Sequence, residues 1–139
     1  MNRTRGLLTI AVILVLGSLV SGVHSQKGPA PAYKPVHLMN LTSSEAEANL
    51  LTILAEFNKL YAQMGYPNIR YRVWKVSGKQ SVQFTHIWES EWPDKATYDK
   101  VHSFKEFTEL HARHEKELRG LLKDHVYNRY EELPLVASM

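Results

Sequence analysis

Cysteine is absent from all 139 residues. The chain therefore has no disulfide staple and no thiolate nucleophile or metal ligand, and a buried core must supply its stability. A serine nucleophile elbow, a phosphate-cradling glycine loop and a dinucleotide fingerprint are missing as well. A large excess of one charge sign is also missing. The formal net charge is +3, and Arg3 and Arg5 at the extreme N-terminus supply two of those units. A nearly neutral remainder lacks the clustered cations that repeated phosphate contacts demand, so no nucleic-acid partner is expected. The apolar run from Leu7 to Leu16, broken only by Thr9, falls short of the ~20 residues that span a bilayer.

That run has another use. Arg3 and Arg5 precede it, and Val23-His24-Ser25 follows with small residues at the positions a signal peptidase reads. Residues 1–25 are expected to be a signal peptide. The protein is then exported, periplasmic or secreted, with no membrane attachment after cleavage. Residues 26–35 carry three prolines and read as an extended linker. The folded domain is expected over 36–133, with 134–139 as a tail.

Within that domain the periodicities alternate. Val36 to Leu41 reads as a short strand with faces Val36/Leu38/Asn40 and His37/Met39/Leu41. Thr42 and Ser44 stand three residues ahead of Glu45 and Glu47, giving two possible capping boxes. Leu50, Leu54, Phe57, Tyr61 and Met64 then mark one helical face, and Gly65 and Pro67 end the helix. Ile69 to Val76 alternates as a strand, Ser77 to Gln80 is a turn, and Val82 to Glu89 returns as its hairpin partner. Asp94 caps a second helix carrying Val101, Phe104, Phe107, His111, His114, Leu118 and Leu121. Asp124 to Leu133 is the last strand. The order βαββαβ predicts an α+β, ferredoxin-like domain: a four-stranded antiparallel sheet with two helices on one face. The other face is left bare and aromatic, which predicts a partner, most simply a homodimer through the sheet face.

Trp88-Glu89-Ser90, Asp94-Lys95-Ala96-Thr97-Tyr98 and His102-Ser103-Phe104-Lys105-Glu106-Phe107 together resemble the dimeric α/β-barrel superfamily. His86-Ile87-Trp88 is also similar to a His-Leu-Trp segment of its NIPSNAP branch. The resemblance implies a homodimeric barrel with a cavity in each protomer. The superfamily includes oxygenases, cyclases, isomerases and haem-degrading enzymes, so activity does not follow from fold. Haem-degrading members place a ligating His directly after a Phe-Lys-Glu-Ala segment. Here Thr108 follows Phe107 and the next histidine is His111, which argues against haem, and no cofactor is expected.

His86 is the sharpest candidate. It lies between Phe84 and Trp88 on one strand face, where a desolvated neutral imidazole could act as a general base. The plainer alternative is a structural histidine bonded to a neighbouring element. Tyr130 or Arg70 would be its oxyanion partner. Arg70 and Arg72 share a face with Trp74 and could grip an anion, with Glu89 and Glu91 as competing ion-pair partners. Trp88 and His37 complete the expected ligand-binding set of Arg70, Arg72, Trp74, Trp88 and His37. His111 and His114 lie on one helix side but supply only two ligands, so no metal is expected. The leading expectation is a small, partly apolar ligand held in the barrel cavity. A cofactor-independent monooxygenase or cyclase and a ligand-free structural homodimer are the alternatives.

Overall fold

Tyr33–Leu41 forms β1, the strand on which the sheet is centred. The structure, a computed structural model, describes residues 30–78, 83–133 and 135. The expected signal peptide 1–25, residues 26–29 of the linker, the turn residues Lys79 and Gln80, Val82 and the tail apart from Leu135 lie outside the described residues. Helix α1 covers Ser44–Gln63, β2 Arg72–Lys75, β3 His86–Glu89, α2 Lys95–His102, α3 Lys105–Leu121 and β4 Leu122–Glu131. The sheet order is β2-β3-β1-β4 with every neighbouring pair antiparallel. The ferredoxin-like expectation is met.

Three local expectations are corrected. β1 begins in the expected linker and runs through Pro35. Its register sets Pro35 opposite Ser90, beyond the end of β3, and the Pro35 carbonyl accepts from the Ser90 N–H at 3.2 Å. The missing N–H thus falls just past the end of β3, in the gap before Tyr33 and Trp92 resume the pairing with 2.9 Å bonds in both directions. The N-cap of α1 is Ser43, whose hydroxyl accepts from the Ala46 N–H at 3.1 Å, so neither capping box forms. The single second helix is two helices. Phe104 adopts extended backbone (φ −66°, ψ 142°) and the Ser103 hydroxyl donates to the Lys100 carbonyl, closing α2 before α3 begins.

The core lies between the sheet and the helices. Leu50, Ile53, Leu54, Phe57 and Tyr61 of α1 meet Phe107, Leu110, Leu118 and Leu121 of α3, and Met39, Trp88 and Ile69 close the cluster. Aromatic rings fill much of it at tilted and edge-on angles, such as Tyr61 on Trp92 at 5.3 Å and Tyr71 on Trp88 at 5.2 Å. Asn58 ties α1 to the segment before β2: its amide accepts from the Tyr71 N–H (2.6 Å) and donates to the Tyr71 carbonyl (3.1 Å).

The register assigns every strand side chain to a face. Met39, His86, Trp88, Val73, Lys75 and Tyr127 face the helices, with His37 among them. Leu38, Ile87, Trp74, Arg72, Glu89, Val126 and Tyr130 lie on the opposite face, where Trp74, Val126 and Tyr130 are 52%, 41% and 49% exposed.

Candidate functional site

The expected site residues divide between the two faces. His86 is buried and faces the helices. Its Nε2 lies 3.0 Å from Glu47 Oε2 of α1, and its Nδ1 lies 2.8 Å from the Thr85 hydroxyl. A carboxylate only accepts, so Nε2 donates to it. Both ring nitrogens are engaged, and the imidazole fastens the first turns of α1 to the sheet. The hydrogen bond from His86, and then that from Lys75, holds the Glu47 carboxyl below its usual range. Tyr130 is on the other face, so it cannot share a reacting atom with His86.

The arginine set also disperses. Arg70 precedes β2 and is exposed, and Arg72 points with Trp74 to the open face. Among the described residues neither arginine makes an ion pair; Glu89 and Glu91 pair with Lys34 at 3.4 and 3.7 Å. The Trp74 indole N–H donates to Glu89 Oε1 at 3.0 Å. His111 and His114 diverge as well: His114 bonds Glu56 of α1 at 3.0 Å, while His111 lines a cleft.

That cleft joins His37 and Trp88 to residues the spacing did not single out. It lies between the sheet and α3, has a volume of about 440 Å³, and is walled by His37, Trp88, His111, Leu118, Arg119 and His125, among others. α3 contributes His111, Glu115, Leu118 and Arg119, a stripe at helical spacing. Arg119 is held to Glu115 at 2.6 Å.

His37 sits at the middle of the sheet wall. Its register partners are Trp88 on β3 and Tyr127 on β4. Its ring stacks on the Trp88 indole (4.1 Å, 11°) and lies 4.5 Å from Tyr127. His125 is the diagonal neighbour on β4, within reach across the strands. The two imidazoles are nearly parallel (7°), and His37 Nδ1 lies 2.7 Å from His125 Nε2. A β-bulge next to His125 marks this end of β4: the register slips between Leu38 and Asn40, and Asp124 takes φ 49°. Asn40 donates to the Asp124 carboxylate at 3.3 Å and supports the bulge.

An N···N contact of that length holds one proton, so the pair excludes double protonation. Burial, and then the neighbouring His125, lowers His37 to about 3; burial lowers His125 too. Both rings are neutral at pH 7. The Tyr98 and Tyr127 hydroxyls pair at 3.0 Å behind them. Burial first, and then the Tyr127 bond, raises the Tyr98 hydroxyl well above its usual value, so it stays protonated. The Trp88 indole N–H is buried and has no hydrogen-bond partner among the described residues. His102 stands apart from the cleft wall, with Nδ1 2.8 Å from the Tyr98 carbonyl; burial lowers it to about 4. Among the described residues no group of three or more histidine or acidic side chains is arranged to hold a metal ion.

The missed residue was His125. Its signal was present: in a βαββαβ sheet the last strand lies beside the first, so a histidine on each can meet.

No protein-family model and no curated protein matches the chain. Solved structures do. A cofactor-independent oxygenase, SnoaB from Streptomyces nogalater, is 14% identical with a TM-score of 0.53, over 78% of this chain and 100% of its own. A hydroxynitrile lyase from Passiflora edulis is 16% identical with a TM-score of 0.55, over 78% and 99%. A dimeric ferredoxin-like protein of unknown function from Jannaschia sp. CCS1 is 13% identical with a TM-score of 0.56, over 73% and 99%. At these identities the likeness establishes the ferredoxin-like fold.

Proposed function

We propose that the protein binds a small aromatic ligand bearing a weakly acidic proton in the cleft between the sheet and α3. His37 accepts that proton, the chemistry of a cofactor-independent acid–base enzyme. One observation carries the reading: a neutral, mutually hydrogen-bonded imidazole pair on the wall of a cleft, beside Trp88. Flat ring faces suit an aromatic ligand, and a neutral imidazole keeps a lone pair for its proton. The ligand site thus moves from the barrel side of the sheet to the helix side, and the base from His86 to His37. A cofactor-independent oxygenase and a hydroxynitrile lyase both occur on this fold, which supports its capacity for such chemistry without transferring either activity.

The open sheet face belongs to the same proposal. A second copy of the chain covers it, burying Trp74, Val126 and Tyr130, and the Jannaschia neighbour is described as dimeric. Export by residues 1–25 is proposed with it; N-terminal sequencing of the released protein should begin at Gln26.

Titration calorimetry with 2-naphthol tests the ligand reading. Saturable binding is expected, weakened roughly tenfold or more in His37→Ala and in the methyl ether, because each removes one side of a buried hydrogen bond. Equal binding by the variant and by the ether would sink the reading.

A further inference from the structure

We propose that His37 and His125 form a proton relay in which His125 is the outer member, so that a proton taken up at His37 Nε2 leaves from His125 Nδ1. The inference rests on the ligand reading for its proton donor, but the relay is a property of the unliganded protein.

The geometry is that of a wire. His37 Nδ1 and His125 Nε2 are joined at 2.7 Å, which leaves one nitrogen of each ring outside the contact. Neither outer nitrogen has a hydrogen-bond partner among the described residues. With two neutral rings there are two ring protons, and one lies in the shared bond. If His37 donates from Nδ1, its Nε2 carries a lone pair and His125 carries a proton on Nδ1. Uptake at His37 Nε2 then pushes the shared proton to His125 Nε2, and His125 releases its Nδ1 proton to water. The ligand becomes its conjugate base, one proton enters solvent, and both rings end neutral in the opposite tautomer.

The surroundings give the wire a direction. His37 is half-buried between Trp88 and Tyr127, whereas His125 is exposed on β4. The inner end is therefore at the aromatic wall and the outer end at water. The groups that α3 turns toward the cleft are His111, Glu115 and Arg119, the last two bound to each other.

The relay also removes a difficulty in using His37 alone. A half-buried imidazole held at about 3 gives up a stored proton readily and is a weak base on its own. Passing the proton through the pair avoids lodging charge between the rings.

Nitrogen-15 NMR of the labelled, unliganded full chain decides the relay. One proton coupled to both His37 Nδ1 and His125 Nε2 is expected, with both outer nitrogens at shifts averaged between protonated and bare. Two rings each locked in one tautomer, with no coupling across the contact, would overturn it whatever binds the cleft. A second readout uses 2-naphthol, which becomes a strong acid when excited. Time-resolved fluorescence of the bound dye should show naphtholate appearing in the wild type and persisting roughly tenfold less in His125→Gln. Glutamine can accept from His37 but cannot hand a proton on, so unchanged persistence in that variant contradicts the relay. Absence of 2-naphthol binding removes the ligand reading and leaves the NMR result to judge the relay.

Discussion

A histidine means different things one residue apart in environment. His86 and His37 both face the helices, but His86 has both nitrogens committed and His37 has one without a partner among the described residues. That difference, not exposure, separates a fastening from a site. Burial of histidines has a consequence in acid. The folded chain holds His37 at about 3 and His102 at about 4, both below the ordinary 6.5. Between those values the unfolded chain binds protons that the folded chain refuses, so stability is full above about 6.5 and falls as pH drops toward them. Glu47, held low by His86 and Lys75, extends the loss with the same sign below the ordinary carboxyl value. Urea midpoints measured from pH 7 to pH 4 should fall steadily in the wild type. The fall should be shallower in His37→Gln, and an identical slope would mean that His37 titrates normally.

Among the elements, the ones that could be read in advance are those whose pattern is local. The stripe from Leu50 to Met64 needs only helical period and a glycine stop, and Gly65 indeed takes φ 91° after α1. Alternation put His37 with Met39 correctly. It could not say which face the helices cover, because a period of two names two faces and orders neither. Alternation therefore leaves Trp88 and His86 without a side, and lets Tyr130 be set beside His86 although the two lie on opposite faces. The break at Phe104 escaped because its apolar spacing continues unbroken through it. Pro35 escaped because its tolerance depends on where β3 ends, a fact of register. Asn58 is another long-range device invisible to local pattern. Its amide supplies both a donor and an acceptor to Tyr71. Asn58→Ala should cost about 1–3 kcal/mol in urea unfolding, since it leaves both backbone groups of Tyr71 without these partners. A loss within experimental error would mean that the segment before β2 finds other partners.

At the scale of the molecule, one sheet separates two unlike faces. The helix-side face holds the aromatic core and the imidazole cleft, and the open face holds Trp74, Val126 and Tyr130 against solvent. The fold was legible because element order fixes it; the site was not, because it is assembled from β1, β3, β4 and α3 at once. A two-fold contact through the open face predicts that Val126→Glu, a charge repeated across the axis, converts a dimer to a monomer. Sedimentation velocity on the two proteins checks this, and a wild-type monomer or an unaffected dimer would contradict it.

The three tryptophans provide the most direct test of the central claim. Trp88 stands on the cleft wall, Trp74 on the open sheet face and Trp92 in the core near Tyr61 and Tyr98. Each gives its own indole N–H resonance. When 2-naphthol is titrated into the full chain, the Trp88 resonance should move in proportion to saturation while that of Trp74 stays in place. Movement of Trp74 with Trp88 unmoved would put the ligand on the barrel side of the sheet and contradict the account.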